Sequence, residues 1–293
     1  MGESIDLHRI DDDSTVATQC ENLLDRIERR GQKIVERKKF QFLCSYYDET
    51  VQFLRYNNMA GCVSGADEAR YLTAAVRYAA TYVSHAARTG SVTVNIDGSA
   101  VDLEITDFVA GNMELNDASY LALCADDDTA IGALLEFDRS PLFRSTSVGH
   151  RYLRSYGDLF DHVLAHGEID DALDTDLAEI ANESEEILPE TKADYSHLVY
   201  LHQPLVAVLH ALARGDATAC NDHLAEALRR HQTYWTSTHV IEAGATPPRR
   251  DSHGWISYAI IGLKKLAQRR GVAIDVSSGY RPERLLSLTA QAG

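Results

Sequence analysis

Lysine and arginine are scarce in this 293-residue chain: 28 of them stand against 44 Asp and Glu, for a formal charge of −16. A field of that sign repels nucleic acid and anionic membranes and favours cationic partners, although net charge also serves solubility. Neither nucleic acid nor a membrane is therefore expected as a partner. Cysteine is sparse too. Cys20, Cys44, Cys62, Cys124 and Cys220 are odd in number and form no C-x-x-C pair. That argues against a disulfide framework and fits free thiols in a reducing compartment. No apolar run approaches the length of a membrane span. The first residues, Met-Gly-Glu-Ser-Ile-Asp, offer neither the basic nor the apolar region of a signal peptide. A cytoplasmic protein is the expectation. No stretch rich in Ser, Gly or Pro marks a linker and no strict repeat is present. The chain therefore reads as one helical domain over residues 1–293, with residues 1–13 loose.

Recognisable catalytic motifs are missing as well. No Gly-rich phosphate loop, Walker pattern, dinucleotide fingerprint, H-E-x-x-H or nucleophile elbow occurs. Neither enzymatic activity nor a cofactor is expected.

Helical periodicity is abundant. The fold class expected is mainly α: a multi-helix bundle or array of helical hairpins with one small β-hairpin at about 91–105. Ser14 or Thr15 can cap a helix to about Lys33 whose apolar face carries Val16, Cys20, Leu23, Leu24 and Ile27, with Gly31 blurring its end. A second helix is expected over Phe40–Asn57, and a third from Gly65 to Arg88. Leu72, Val76, Ala79, Val83 and Ala86 line one face of the third, and Tyr71, Tyr78 and Tyr82 another, so two faces look buried.

The hairpin signal is sharp. Val92, Val94 and Ile96 alternate with polar residues, as do Val101, Leu103 and Ile105, and Asp97-Gly98 between them is a two-residue turn. That turn pairs Val94 with Val101 and Val92 with Leu103 on one face and leaves Thr93, Asp102 and Glu104 to water.

Beyond it, Asn116 or Asp117 can cap a helix through Cys124. Asp126-Asp127-Asp128 opens a short helix where acidic residues suit the N-terminal dipole. Pro141 marks a break, and a longer helix spans Val148–His166. Two long helices divide at Gly215-Asp216, with Pro204 as a start or kink and Asp216 as an N-cap. In the second of them Cys220, Leu224, Leu228, His231 and Trp235 form one stripe, which places Trp235 in the core. Asp251 or Ser252 caps a buried helix through Leu266 that Gly271 ends. Val272, Ile274 and Val276 then alternate briefly.

Three features bear on chemistry. His162 and His166, spaced i, i+4 beside Asp158 and Asp161, could share a metal, but half-buried histidines explain them as well and no third ligand is apparent. His197, His202 and His210 scatter over two helix faces. Asp126-Asp127-Asp128 lacks the further, converging carboxylates of a Mg²⁺ site. No metal is expected.

Between Glu168 and Glu190 lie ten acidic residues and no Lys or Arg. Leu173, Leu177, Ile180, Ala181 and Ile187-Leu188 supply an apolar stripe, so an amphipathic helix is expected there. Its acids are either a solvated face or a docking patch for a basic partner.

Two segments carry a resemblance. Residues 227–235 read Ala-Leu-Arg-Arg-His-Gln-Thr-Tyr-Trp, and residues 271–286 read Gly-Val-Ala-Ile-Asp-Val-Ser-Ser-Gly-Tyr-Arg-Pro-Glu-Arg-Leu-Leu. In this order, separated by a mostly apolar helix, they resemble the immunity protein 49 family of bacterial polymorphic-toxin systems. The likeness spans roughly residues 65–290 and is best beyond Tyr195. The long acidic stretch and Pro247-Pro248-Arg249-Arg250 depart from the pattern. The resemblance implies a helical protein that binds a co-encoded toxin domain, such as a nuclease or deaminase, and neutralises it by occlusion. On that reading Asp170, Asp171, Asp174, Asp176, Glu179, Glu183, Glu185 and Glu186 form the expected toxin-facing patch. The alternative is a helical adaptor that recruits some other protein.

Overall fold

The computed structural model describes residues 4–6, 13–85, 88–105, 112–138, 148–165, 198–236 and 251–280. In chain order they form β1 (Ser4–Ile5), α1 (Asp13–Arg37), α2 (Phe42–Ala60), α3 (Gly65–Ser84), β2 (Gly90–Ile96), β3 (Ser99–Ile105), α4 (Asn112–Ala125), α5 (Asp128–Leu135) and α6 (Val148–Ala165). A π-turn at Leu198–His202 leads into α7 (Gln203–Ala213), followed by α8 (Ala217–Thr236), a 3₁₀ turn at Ser252–Gly254, α9 (Tyr258–Arg269) and β4 (Ser277–Ser278). The architecture is mainly helical with a small antiparallel hairpin, as expected. Among the described residues no helix is long and apolar enough to cross a membrane.

These residues fall into two compact units, one drawn from Asp11–Leu142 and the other from Met1–Ile10 with Phe143–Glu283. In the first, α1 packs along α2 and α2 along α3. Val16, Cys20, Leu23, Ile27 and Ile34 line the buried side of α1, while Leu24 is half-buried. Gly31 does not end this helix, which continues to Arg37. A Cβ at Gly31 would stand 3.0 Å from Asp97 Oδ2 and 3.4 Å from the Tyr46 ring. The glycine is thus a point of close approach for the hairpin turn, and α1 tolerates its modest helix penalty.

Across the α1–α2 contact, buried Glu49 accepts from Arg26 Nη2 at 2.9 Å, from Arg30 Nη2 at 2.8 Å and from Arg30 Nε at 3.2 Å. Burial pushes the Glu49 carboxyl up. The hydrogen bonds and charges of Arg30 and Arg26 outweigh that and hold it below the usual carboxylate range.

α3 buries two faces, Leu72, Val76, Ala79 and Val83 on one and Tyr71 and Tyr78 on the other. It stops at Ser84, short of the expected Arg88, because the Ser84 hydroxyl and His85 Nδ1 both turn back to the Thr81 carbonyl, at 3.3 and 2.9 Å.

The hairpin has the expected register, Val94↔Val101 and Val92↔Leu103. Asp97 (φ 48) and Gly98 (φ 86) are both left-handed, the geometry that matches strand twist in a two-residue turn. Asn95 Oδ1 accepts from Gly98 N at 2.8 Å and braces it. Val94, Ile96, Val101, Leu103 and Ile105 are buried.

α4 begins earlier than its capping signal indicated. Asn116 sits inside it, 4% exposed, and the start moves to Asn112. α5 keeps the expected cap: Asp127 Oδ1 accepts from Ala130 N at 3.0 Å.

In the second unit, α7 and α8 pack along each other across Gly215-Asp216, and Asp216 Oδ1 accepts from Ala219 N at 3.0 Å as an N-cap. Pro204 lies in the first turn of α7, where its missing N–H costs little, and the widened π-turn before it absorbs the lost i→i−4 bond. α9 is buried on most sides, including Ile260, Ile261, Leu263 and Leu266. It starts later than expected. Asp251 caps the 3₁₀ turn instead, accepting from His253 N at 2.9 Å, and Ser257 caps α9. Trp255 and Ile256, both 2% exposed, are buried between the two turns.

The alternation after Gly271 leads into β4, which pairs in parallel with β1, Ser4↔Ser277 and Ile5↔Ser278. Ile5, in the segment expected to be loose, is 6% exposed, and its carbonyl accepts from Ser278 Oγ at 2.7 Å.

Candidate partner-binding surface

The eight acidic residues expected to face a toxin, Asp170, Asp171, Asp174, Asp176, Glu179, Glu183, Glu185 and Glu186, lie outside the described residues, as do His166, His197 and Pro141. His162, Asp158 and Asp161 sit half-buried on α6. Among the described residues no group of three or more His, Cys, Asp and Glu side chains could hold a metal ion. Asp127 is used as a helix cap, and Asp126 occupies a left-handed turn position (φ 59). The aspartate run is thus a chain reversal between α4 and α5.

The two motif segments meet. The His231 ring packs edge-on against Tyr280, 5.0 Å between centroids, and its Nε2 lies 3.1 Å from the Gly254 carbonyl. A carbonyl only accepts, so Nε2 carries the proton. Trp235 lies against Gly254 and stacks on His253 at 6.4 Å. It is half-buried, not enclosed in the core as its stripe implied. Tyr234 is half-buried beside it, ring against ring at 4.9 Å.

Asn221 ties the second segment down. Its Nδ2 donates to the Ala273 carbonyl at 2.9 Å and its Oδ1 accepts from Asp275 N at 2.8 Å. Arg229 and Arg230 both pair with Glu226, at 2.7 and 2.8 Å, and the Arg270 guanidinium donates to the Val163 carbonyl. Among the described residues in and beside these segments, His231, Trp235, Arg229, Arg230, Arg270 and Tyr280 serve packing and internal contacts. They hold α8, α9 and the strand after it together.

A different surface stands out in the first unit. Between Arg88 and Arg139 there are eleven Asp and Glu and no Lys or Arg. This second one-sided stretch is longer than the run at 168–190 and less dense in acids, which makes it the weaker signal in composition. Folding places exposed Asp102 and Glu104 on the outer face of the hairpin and Asp126, Asp127 and Asp128 at the α4–α5 turn. A cleft of about 450 Å³ opens in this unit, with walls from α3 (Tyr78, Thr81, Ser84), β2 (Thr93, Asn95) and the start of α5 (Asp127, Thr129). That volume is within the range of binding clefts. Its lining mixes hydroxyls, an amide, one carboxylate and Arg77 with the aliphatic Ala80, Val94, Ala130 and Ala133. Such a lining can hold an extended chain or a side chain. Searches among curated proteins and among solved structures found no match. The family model described as immunity protein 49 matches residues 65–285, from the start of α3 to beyond β4, and this chain belongs to that family.

Proposed function

We propose that this chain neutralises a co-encoded toxin domain by binding it stoichiometrically and covering its working surface, with no catalysis of its own. The family match over residues 65–285 carries the reading. The formal charge of −16 supports a basic toxin, such as a nuclease or deaminase whose cleft is built to meet nucleic acid. Acidic residues on an inhibitor accelerate association with such a cleft and fix orientation, while close packing sets how long the complex lasts. The work is done in the cytoplasm of the producing cell and needs neither metal nor cofactor. Asp170, Asp171, Asp174, Asp176, Glu179, Glu183, Glu185 and Glu186 are the proposed steering patch. Reversing Asp170, Asp174, Glu179 and Glu183 to Lys should slow association with the toxin domain by roughly tenfold or more at low salt and flatten its salt dependence. Stopped-flow mixing at two ionic strengths reads this directly, and unchanged kinetics would remove the patch from the interface.

A further inference from the structure

We infer that the outer edge of β2 is a docking strand, where an extended, basic segment of the toxin adds to the hairpin. The inference rests on the proposed function and names the contact through which it operates. Ile96 and Ser99 flank a two-residue turn and exchange ladder bonds, so the inward-pointing positions of β2 are Ile96, Val94, Val92 and Gly90. The N–H and C=O groups of Asn95, Thr93 and Ser91 therefore point away from β3. The opposite strand confirms the phase. Glu104, paired with Ser91, sends its N–H outward to the Lys38 carbonyl at 3.0 Å and accepts from Phe40 N at 3.3 Å. The far edge of β3 is thus occupied by residues 38–40.

Among the described residues, no segment covers the edge of β2 in this way. Among the described residues, its outward main-chain groups have one partner, the Tyr78 hydroxyl, which donates to the Asn95 carbonyl at 3.2 Å. Soluble proteins protect such edges with Pro, Lys, a bulge or a covering element. β2 reads Gly-Ser-Val-Thr-Val-Asn-Ile and pairs in unbroken register, so it has no Pro, Lys or bulge. Ser91, Thr93 and Asn95 are all exposed, and Thr93 and Asn95 form one wall of the 450 Å³ cleft whose other walls are α3 and α5. A strand laid on this edge would enter a preformed groove and satisfy the free N–H and C=O groups, the logic of β-augmentation.

Charge decides the occupant. The hairpin and the α4–α5 turn belong to the stretch with eleven acids and no Lys or Arg, and Asp102 and Asp128 are exposed. Arg77 is the one cation among the cleft-lining residues. A segment bearing several Lys or Arg is favoured over an acidic or apolar one.

The test uses the full chain and the C-terminal toxin domain encoded beside it. Thr93→Pro removes an outward N–H and sets a ring on the edge while leaving the β2–β3 ladder bonds in place. It should weaken binding at least tenfold with an unchanged circular-dichroism spectrum, and Thr93→Lys should weaken it by a similar factor. Amide hydrogen exchange on the unmodified chain gives a reading independent of any variant. Ser91 and Thr93 amides should exchange quickly when free and slowly in the complex. Folded variants that bind like the parent, or these amides equally fast in the complex, would overturn the inference while leaving the immunity reading intact. No binding of the toxin by the unmodified chain would remove both. A dimer that Thr93→Pro converts to monomer would make a second copy of the chain the occupant and overturn the basic segment.

Discussion

At the residue scale, one close contact in each unit makes its stability testable. Gly254 has no room for a side chain, since a Cβ would lie 2.6 Å from Trp235 Cγ and 2.8 Å from Trp235 Cβ. The second of these atoms is fixed to the α8 backbone and cannot swing away. Gly254→Ala should therefore cost about 1–3 kcal/mol, as overpacking does elsewhere, and lower the melting temperature. Denaturant unfolding would measure it, and a neutral variant would mean that the Trp235 shelf is looser than drawn.

Glu49 presents the complementary case. Its carboxylate is fixed by two guanidiniums of α1, and one of them, Arg26, is more than half exposed, which discounts its share. Glu49→Gln should cost about 1–3 kcal/mol near neutral pH. The native carboxyl titrates below its ordinary range, so the native state binds fewer protons there than the unfolded chain does. The stabilisation is complete above the ordinary carboxylate range and is lost as pH falls through the native value. The difference between parent and variant should thus shrink below about pH 4. A gap that grew on acidification would contradict the assignment.

At the element scale, short polar signals did much of the work. Asp127 caps α5 through Ala130 N at 3.0 Å, so Asp127→Ala should destabilise by about 1 kcal/mol, readable as a small shift of the unfolding midpoint. The same residue lines the cleft, so the variant's stability should be measured before its binding. Legibility in the sequence follows this division between local and distant causes. The Asp97-Gly98 turn and the alternation around it gave the strand register to the residue, because two left-handed positions and a period of two leave one solution. Asp216 and Asp127 were readable as caps for the same local reason.

What was not readable depended on distant partners. Gly31 looks like a helix terminus until the hairpin turn is seen against it. The start of α9 moved from Asp251 to Ser257 because Trp255 and Ile256 are buried in an irregular segment between two capped turns, and Asn116 looks like a cap until α4 is seen to begin before it. Ser4–Ile5 finds its strand partner more than 270 positions away at Ser277–Ser278, a pairing that no window of sequence contains. The candidate surface divides the same way. Its charge is visible in composition, whereas a strand edge facing a cleft exists only once α3, β2 and α5 are folded together.

At the scale of the whole molecule, the observations separate framework from surface. The described parts of the two segments that carry the resemblance, 227–235 and 271–280, meet through His231 and Tyr280, and Asn221 ties the second of them to α8. The family match covers both units, from α3 to beyond β4, and on the proposed reading recognition falls to the exposed acidic faces and the edge of β2. A binder built this way should be consumed one-for-one and should turn nothing over. The decisive measurement is a titration of toxin activity with the purified full chain at concentrations well above the dissociation constant. Residual activity should fall in a straight line to zero at one equivalent and return when the complex is dissociated and the toxin recovered. A toxin silenced by a small fraction of an equivalent, and still silent after separation, would show that the chain acts as an enzyme and not as a cover.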